Sequence, residues 1–281
     1  MQDFFYGWYL KCQSATQTLA VIPAVHQTKE ERTCSIQMIT EKDTWTVTFP
    51  ANAFQRTGKN MQIGENQFCK KGIRLAINTP DLSLKGKLCF GSLSPLKHDI
   101  MGPFAIVPFM ECRHFVWSMR HLVCGRINLN GQKYVFENDL GYWEGDCGYS
   151  FPKRYVWTQC FLPNGSLMLS VADIPMAGIH FTGIIGVVLW KGQEYRLATY
   201  LGAKVIQIKN KMLRIVQGNM ELEVRLLEET AKPLKAPDQG AMVRTIHENA
   251  SCRAFYQFRI KNKILFSLET NRASFEYEYH S

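Results

Sequence analysis

The sequence lacks the patterns that identify several common enzyme classes. It contains no Gly-x-Ser-x-Gly elbow, no Walker loop and no dinucleotide-binding fingerprint, which argues against nucleophile-elbow hydrolases, nucleoside triphosphatases and NAD enzymes. None of its nine cysteines forms a Cys-x-x-Cys pair, and no histidine-rich tract is present. We therefore expect reduced thiols, no metal site and no cofactor.

Long apolar runs are absent as well. No stretch approaches the roughly 18 apolar residues that a membrane-spanning helix needs. The first residues include neither a basic segment nor a small-residue cleavage site, so we expect no secretory signal and a cytoplasmic protein. Oligomeric state is left open by the sequence.

The net charge of +9 has no single source in the chain. There are 12 basic and 8 acidic residues up to Met110, against 21 and 16 after it, and no basic tail or nucleic-acid motif occurs. This even distribution predicts a solvated basic surface and no nucleic-acid partner. Peripheral contact with an anionic membrane is the alternative that we retain.

A long helical pattern is also missing, and short strand-like segments take its place. Aromatic and β-branched residues recur with turn signals at a spacing of roughly 8–12 residues, which is typical of an all-β sandwich or barrel. Asn130-Gly131 is a type I′ hairpin signal, and the proline-containing segment Gly91–Pro108 is the best candidate linker. The sequence thus predicts two antiparallel barrel-like or sandwich domains packed together, residues 1–105 and 106–281.

The most informative stretch is Gly141–Cys160. It places Glu144 and Asp146 in a loop bracketed by glycines and rich in aromatic residues. A poorly solvated carboxyl group has a raised pKa, which suits a general acid. The alternative is that both carboxylates are turn residues that bond their own backbone.

A strand is predicted directly after these carboxylates, over Arg154–Phe161. Tyr155, Trp157 and Gln159 would share one face of it.

Two further aromatic segments are candidates for ligand contact. Tyr6 and Trp8 lie in a dense aromatic strand, which either packs in a core or forms a ligand-facing wall. His114 and Trp117 belong to a second cluster that also contains two arginines and another histidine, and this cluster is either structural or part of a binding site.

Three stretches resemble the tocopherol cyclase family. Tyr142-Trp-Glu-Gly-Asp-Cys-Gly-Tyr-Ser-Phe-Pro-Lys-Arg-Tyr-Val-Trp-Thr-Gln-Cys160 is similar to the family signature Tyr-x-Glu-Lys-Asn-Trp-Gly-x-x-Phe-Pro-x-x-Trp-x-Trp-x-Gln-Cys. The opening Phe5-Tyr-Gly-Trp-Tyr-Leu-Lys11 resembles the family's Phe-Glu-Gly-Trp-Tyr-Phe, and Pro233-Leu-Lys-Ala-Pro237 resembles its Pro-Leu-Arg-Ala-Pro loop. This sequence has Gly-Asp-Cys where the family has Lys-Asn-Trp.

The resemblance implies a fold and a reaction. The fold would be two lipocalin-like β-barrel domains with a hydrophobic pocket, as also in carotenoid 1,2-hydratases. The reaction would add a phenol oxygen, or water in the hydratase variant, across a prenyl double bond without a cofactor. Glu144 would be the acid and Asp146 would orient it or share its proton. The residues expected to contact the prenyl-lipid substrate are Tyr6, Trp8, His114, Trp117, Trp143, Tyr155, Trp157 and Gln159. The rival hypothesis is a non-catalytic lipocalin-like carrier of a hydrophobic small molecule.

Overall fold

The computed structural model describes residues 2–108, 110–176, 179–228 and 231–279, and nearly all of them belong to strands. These ranges contain no α-helix, only short 3-10 segments at Ala51–Ala53, Gly102–Ile106 and Thr199–Leu201. No helix within them has the length and apolar character needed to cross a membrane. The predicted all-β class is confirmed.

Eleven strands form the first sheet, and all neighbouring pairs are antiparallel. They are β1 (Phe4–Gln13), β2 (Thr18–Gln27), β3 (Arg32–Thr40), β4 (Thr44–Pro50), β5 (Phe54–Thr57), β6 (Asn60–Ile63), β7 (Asn66–Cys69), β8 (Gly72–Asn78), β9 (Ser83–Phe90), β10 (Cys112–Leu129) and β11 (Gln132–Gly148). Their order is β4-β3-β2-β1-β11-β10-β9-β8-β7-β6-β5. Buried residues of β3, such as Ile36, share one core with Ile63 of β6, so the sheet curls round this core.

Ten strands form the second sheet. They are β12 (Tyr155–Leu162), β13 (Gly165–Met176), β14 (Ile179–Trp190), β15 (Gln193–Ala198), β16 (Lys204–Lys209), β17 (Met212–Gln217), β18 (Met220–Leu226), β19 (Lys232–Asp238), β20 (Ala241–Ile260) and β21 (Lys263–Tyr277). The order is β15-β14-β13-β12-β21-β20-β18-β17-β16, and β19 pairs with β20. Alternate residues of these strands form a second core that includes Val156, Tyr256 and Phe275.

The chain divides into two compact units. The first comprises residues 2–97, 112–150 and 235–244, and the second comprises the described parts of 98–111, 151–234 and 245–281. This partition differs from the predicted boundary between residues 105 and 106. The hairpin β10–β11 belongs with the N-terminal strands, because β11 pairs with β1 along most of that strand.

The hairpin between β10 and β11 has the turn that the sequence predicts. Asn130 and Gly131 both adopt positive φ, 49° and 84°, as a type I′ turn requires. In contrast, the prediction that Glu144 and Asp146 lie in a loop is wrong. Both residues belong to β11, since the backbone of this stretch pairs on one side with β1 and on the other with β10.

Glycine has a specific purpose in this part of β11. A Cβ atom on Gly145 would lie 2.4 Å from the carbonyl oxygen of Gly7 and 2.7 Å from the ring of Phe115. The glycine therefore permits close packing of an aromatic side chain against the sheet, rather than marking a turn.

Two buried histidines of the first unit make its stability depend on pH. Burial lowers the pKa of His26 and of His121 from 6.5 to about 4. Within the described residues each ring has one hydrogen bond, between His26 Nε2 and Ser35 Oγ at 2.9 Å and between His121 Nδ1 and Ser118 Oγ at 3.0 Å. The stabilising state is the neutral ring, so its contribution is complete above pH 6.5 and is lost as the pH falls toward 4.

Acidification should accordingly weaken the protein through these two rings. We expect each histidine to account for about 3 kcal/mol of the difference in unfolding free energy between pH 7 and pH 4. Urea unfolding of the wild type and of H26Q and H121Q at both pH values measures this difference. A pH dependence that is the same in all three proteins would contradict the assignment.

Candidate functional site

The register of β10 against β11 brings one histidine to both predicted catalytic carboxylates. His114 lies directly opposite Asp146, and Val116 lies opposite Glu144. Residues at alternate positions of a strand share a face, so Glu144 and Asp146 project from β11 on the side that carries His114.

His114 bridges the two carboxylates. Its Nδ1 lies 2.8 Å from Asp146 Oδ1, and its Nε2 lies 2.9 Å from Glu144 Oε2. The first contact is a hydrogen bond, whereas the second is an ion pair whose angle falls outside hydrogen-bond geometry. The side chains of His114 and Glu144 are 9% and 4% exposed, and that of Asp146 is 22% exposed. Asp146 is thus the most accessible of the three.

Electrostatics keep this histidine charged. Burial opposes the imidazolium form, but the negative charges of Asp146 and Glu144, together with the hydrogen bond to Asp146, outweigh burial and raise the pKa of His114 well above 6.5. At neutral pH the site therefore contains an imidazolium between two acidic side chains.

Two further side chains contact these carboxylates. The hydroxyl of Tyr142 donates a hydrogen bond to Glu144 Oε2, and the thiol of Cys112 lies 3.5 Å from Asp146 Oδ1. Burial and the adjacent Glu144 raise the pKa of Tyr142 well above 10, so its hydroxyl remains a donor. We call Tyr142, Glu144, His114 and Asp146 the His114 network.

Sequence reasoning missed part of this face. No motif marks Tyr142, because its role depends on its position two residues before Glu144, which makes the two side chains neighbours only in a strand. Tyr9 and Lys11 of β1 lie opposite Glu144 and Tyr142, and Lys11 is fully buried. Their cross-strand pairing carries no signal in the sequence itself.

Four of the predicted substrate-contacting residues meet on the other face of the sheet. Together with Phe115 they form a closed ring of aromatic contacts, with centroid separations from 5.0 to 6.3 Å. The members of this aromatic ring are Tyr6, Trp8, Trp143, Trp117 and Phe115. All of them pack in, or against, the core of the first unit.

Two cations cover members of the aromatic ring. The guanidinium of Arg56 lies 4.1 Å from the centroid of Tyr6, and the ammonium of Lys59 lies 4.1 Å from that of Trp117. The indole Nε1 atoms of Trp117 and Trp143 are buried and have no hydrogen-bond acceptor among the described residues. Such unsatisfied donors are costly and uncommon in folded proteins.

The structure separates Trp143 from the carboxylate beside it in the sequence. Trp143 points into the core, whereas Glu144 points to the opposite face, because successive side chains of a strand alternate. The Trp143 ring therefore does not desolvate Glu144, although Glu144 is buried, being only 3% exposed.

The remaining predicted contacts lie in the second unit. Tyr155, Trp157 and Gln159 share one face of β12, as predicted, and all three are buried. Their face is the one opposite to Val156 and Cys160, which belong to the second core. The hydroxyl of Tyr155 donates a hydrogen bond to Glu276 of β21.

The second unit also has an open depression of about 410 Å³. Its lining is polar and includes Asn219, Glu221 and Arg259. None of the predicted site residues lines it, so it has no part in the chemistry considered below.

Comparison with known proteins gives one limited match in sequence. No protein-family model matches the chain. A stretch of 77 residues, 27% of this chain, is 29% identical to the probable chloroplastic tocopherol cyclase of Oryza sativa subsp. japonica. The match covers 16% of that relative, so the chain aligns with less than a fifth of its length.

Solved structures are similar over almost the entire chain. A putative AttH from Nitrosomonas europaea has a TM-score of 0.58 and 12% identity, with 100% of this chain and 93% of that chain covered. CghA in complex with Sch210972 has a TM-score of 0.63 and 8% identity, with 99% and 89% covered. CghA in a second structure has a TM-score of 0.64 and 8% identity, with 99% and 88% covered. At sequence identities of 8% and 12%, the structural similarity establishes the fold alone.

Proposed function

We propose that the protein is a cofactor-independent cyclase that isomerises a prenylated aromatic lipid by protonating its alkene. The observation that carries this proposal is the contact of His114 with both carboxylates in a buried setting. The sequence match to a probable tocopherol cyclase supports the choice of substrate class. Hydration of an isoprenoid is the variant in which water replaces the phenol.

The exposures within the network favour Asp146 as the group that meets the substrate. Its side chain is 22% exposed, whereas that of Glu144 is 4% exposed. This reverses the roles expected from the sequence, where Glu144 was the acid. Glu144 instead is a positioning residue. It accepts a hydrogen bond from the Tyr142 hydroxyl and keeps His114 charged and oriented.

Each step of the proposed reaction conserves atoms and charge. Asp146, when it carries a proton, transfers that proton to the less substituted alkene carbon, and a tertiary carbocation forms. The His114 imidazolium stabilises the carboxylate left behind. The phenol oxygen then bonds to the cationic carbon, and the phenolic proton returns to Asp146. Substrate and product are isomers, and no redox equivalent is consumed.

The test is turnover of a prenylated hydroquinone by the purified protein. We expect a chromanol product of unchanged mass, with loss of the alkene signal in the NMR spectrum. Turnover should fall as the pH rises above the raised pKa of His114, because the imidazolium that stabilises the Asp146 carboxylate after proton transfer is then lost. Recovery of the unaltered lipid at every pH would contradict the proposal.

A carrier is the second candidate, and one specific observation favours it. The indole donors of Trp117 and Trp143 have no acceptor in the part of the chain that the structure describes, and an oxygen atom of a bound ligand within the first unit would satisfy them. Retention of an unmodified lipid by the wild type, and its loss from W143F, would support a carrier. Turnover that is the same in W143F and wild type would support the cyclase.

A further inference from the structure

One outward-facing surface of the first unit concentrates positive charge. It comprises the solvent-facing side of β8, β9, β10 and β11, where alternate residues point away from the core. We call this surface the basic face. Its cations are Arg74, Lys85, Lys87, Arg126 and Lys133. All five are exposed.

The register sets like charges directly opposite one another. Arg74 pairs with Lys87, and Lys87 pairs with Arg126, so three cations form one row across three strands. Neighbouring strands lie about 4.8 Å apart, and like charges in opposed positions destabilise a sheet. The charge repulsion within the row therefore weakens the fold.

Compensating acidic groups are nearly absent from the basic face. In the described part of the chain, none of its five cations has an ion-pair partner. Glu137 is the one exposed carboxylate on these four strands, and Glu144 and Asp146, farther along β11, are at least partly buried in the His114 network. It lies opposite Cys124, one row beyond Arg126.

The surface of the second unit shows the opposite arrangement. Arg214 contacts Glu221 at 2.6 Å, and Arg253 contacts Glu269 at 2.5 Å. Register pairs such as Arg214 with Glu223 place opposite charges together. An unpaired row of cations is thus a local property of the basic face and does not follow from the net charge alone.

We propose that the basic face binds the surface of an anionic phospholipid bilayer. The charges extend in two dimensions over four strands, which matches a plane of headgroups better than a groove that follows a single nucleic-acid strand. Val135, opposite Arg126, and Leu122 are exposed apolar side chains on the same strands, able to enter the interfacial region. No exposed aromatic side chain lies at the described outward positions of this face to stack on a base.

The experiment is co-sedimentation with two kinds of vesicle, one made of phosphatidylcholine alone and one that also contains roughly 30% phosphatidylserine. The second composition approximates the anionic charge of a cytoplasmic leaflet. We expect binding only with the anionic lipid, and weakening as salt rises. The variant R74Q/K87Q/R126Q should bind about 100-fold more weakly, since each basic residue near such a surface contributes about fivefold. Its melting temperature should equal or exceed that of the wild type, because the like-charge pairs are gone.

A matched control separates this surface from net charge. K204Q/K209Q/K263Q removes three exposed lysines of the second unit and should bind vesicles as the wild type does. Equal losses in both triple variants would overturn the proposal, as would equal binding to neutral vesicles. Binding of a DNA duplex without vesicle binding would assign the face to nucleic acid instead. None of these measurements requires turnover, so their outcome is independent of the proposed reaction.

Discussion

Replacing His114 with glutamine should reduce turnover of a prenylated hydroquinone about 1,000-fold, within the range that acid–base groups contribute. The substitution removes the positive charge that stabilises the Asp146 carboxylate after proton transfer. It also removes the bridge, 2.8 and 2.9 Å long, that holds both carboxylates. Steady-state product formation, measured by chromatography, gives the ratio directly.

Two further variants distinguish catalysis from loss of fold. His121 is buried on the same strand as His114 and is not a member of the network, so H121Q should retain turnover at neutral pH. E144Q should lower the pKa of His114, because one of its two counter-charges is removed, and this shift can be followed by NMR titration. If H114Q keeps its full rate while the wild type is active, the network has no role in the reaction.

Truncating Trp143 to alanine should cost about 3–5 kcal/mol of unfolding free energy. The side chain is fully buried and contacts Trp8 and Trp117 at centroid distances of 5.0 and 6.1 Å. Its loss leaves a cavity between Trp8 and Trp117. Urea denaturation monitored by far-UV circular dichroism measures the change.

Phenylalanine at the same position is the matched variant. W143F keeps an aromatic ring and removes the indole donor that has no acceptor, so part of the packing loss is offset. We expect it to cost less than half as much as W143A. A wild-type unfolding free energy in W143A would mean that Trp143 is a ligand contact and adds nothing to the core.

Local patterns in the sequence predicted much of the fold. Strand alternation identified the shared face of Tyr155, Trp157 and Gln159, and Asn130-Gly131 identified the hairpin turn. Both signals act over a few residues, through side-chain direction and backbone dihedral preference, so no tertiary information is needed to interpret them.

The arrangement of the site needed information that no local pattern contains. Glycines around Glu144 and Asp146 indicated a turn, whereas Gly145 serves close packing between β1, β11 and Phe115. Pairing of β11 with two strands overrode the local preference. His114 is opposite Asp146 only because the register of β10 against β11 shifts at three places along the hairpin. Such register is decided by tertiary packing.

The pairing of β1 with β11 also constrains the order of events during synthesis. Phe5 pairs with Gly148, so one edge of β1 has no partner until the chain has been made past that glycine. An open edge of an apolar strand invites intermolecular pairing. Nascent chains that stall before β11 should therefore depend on a chaperone. In a series of ribosome-bound nascent chains of increasing length, resistance to protease should appear only once β11 has emerged.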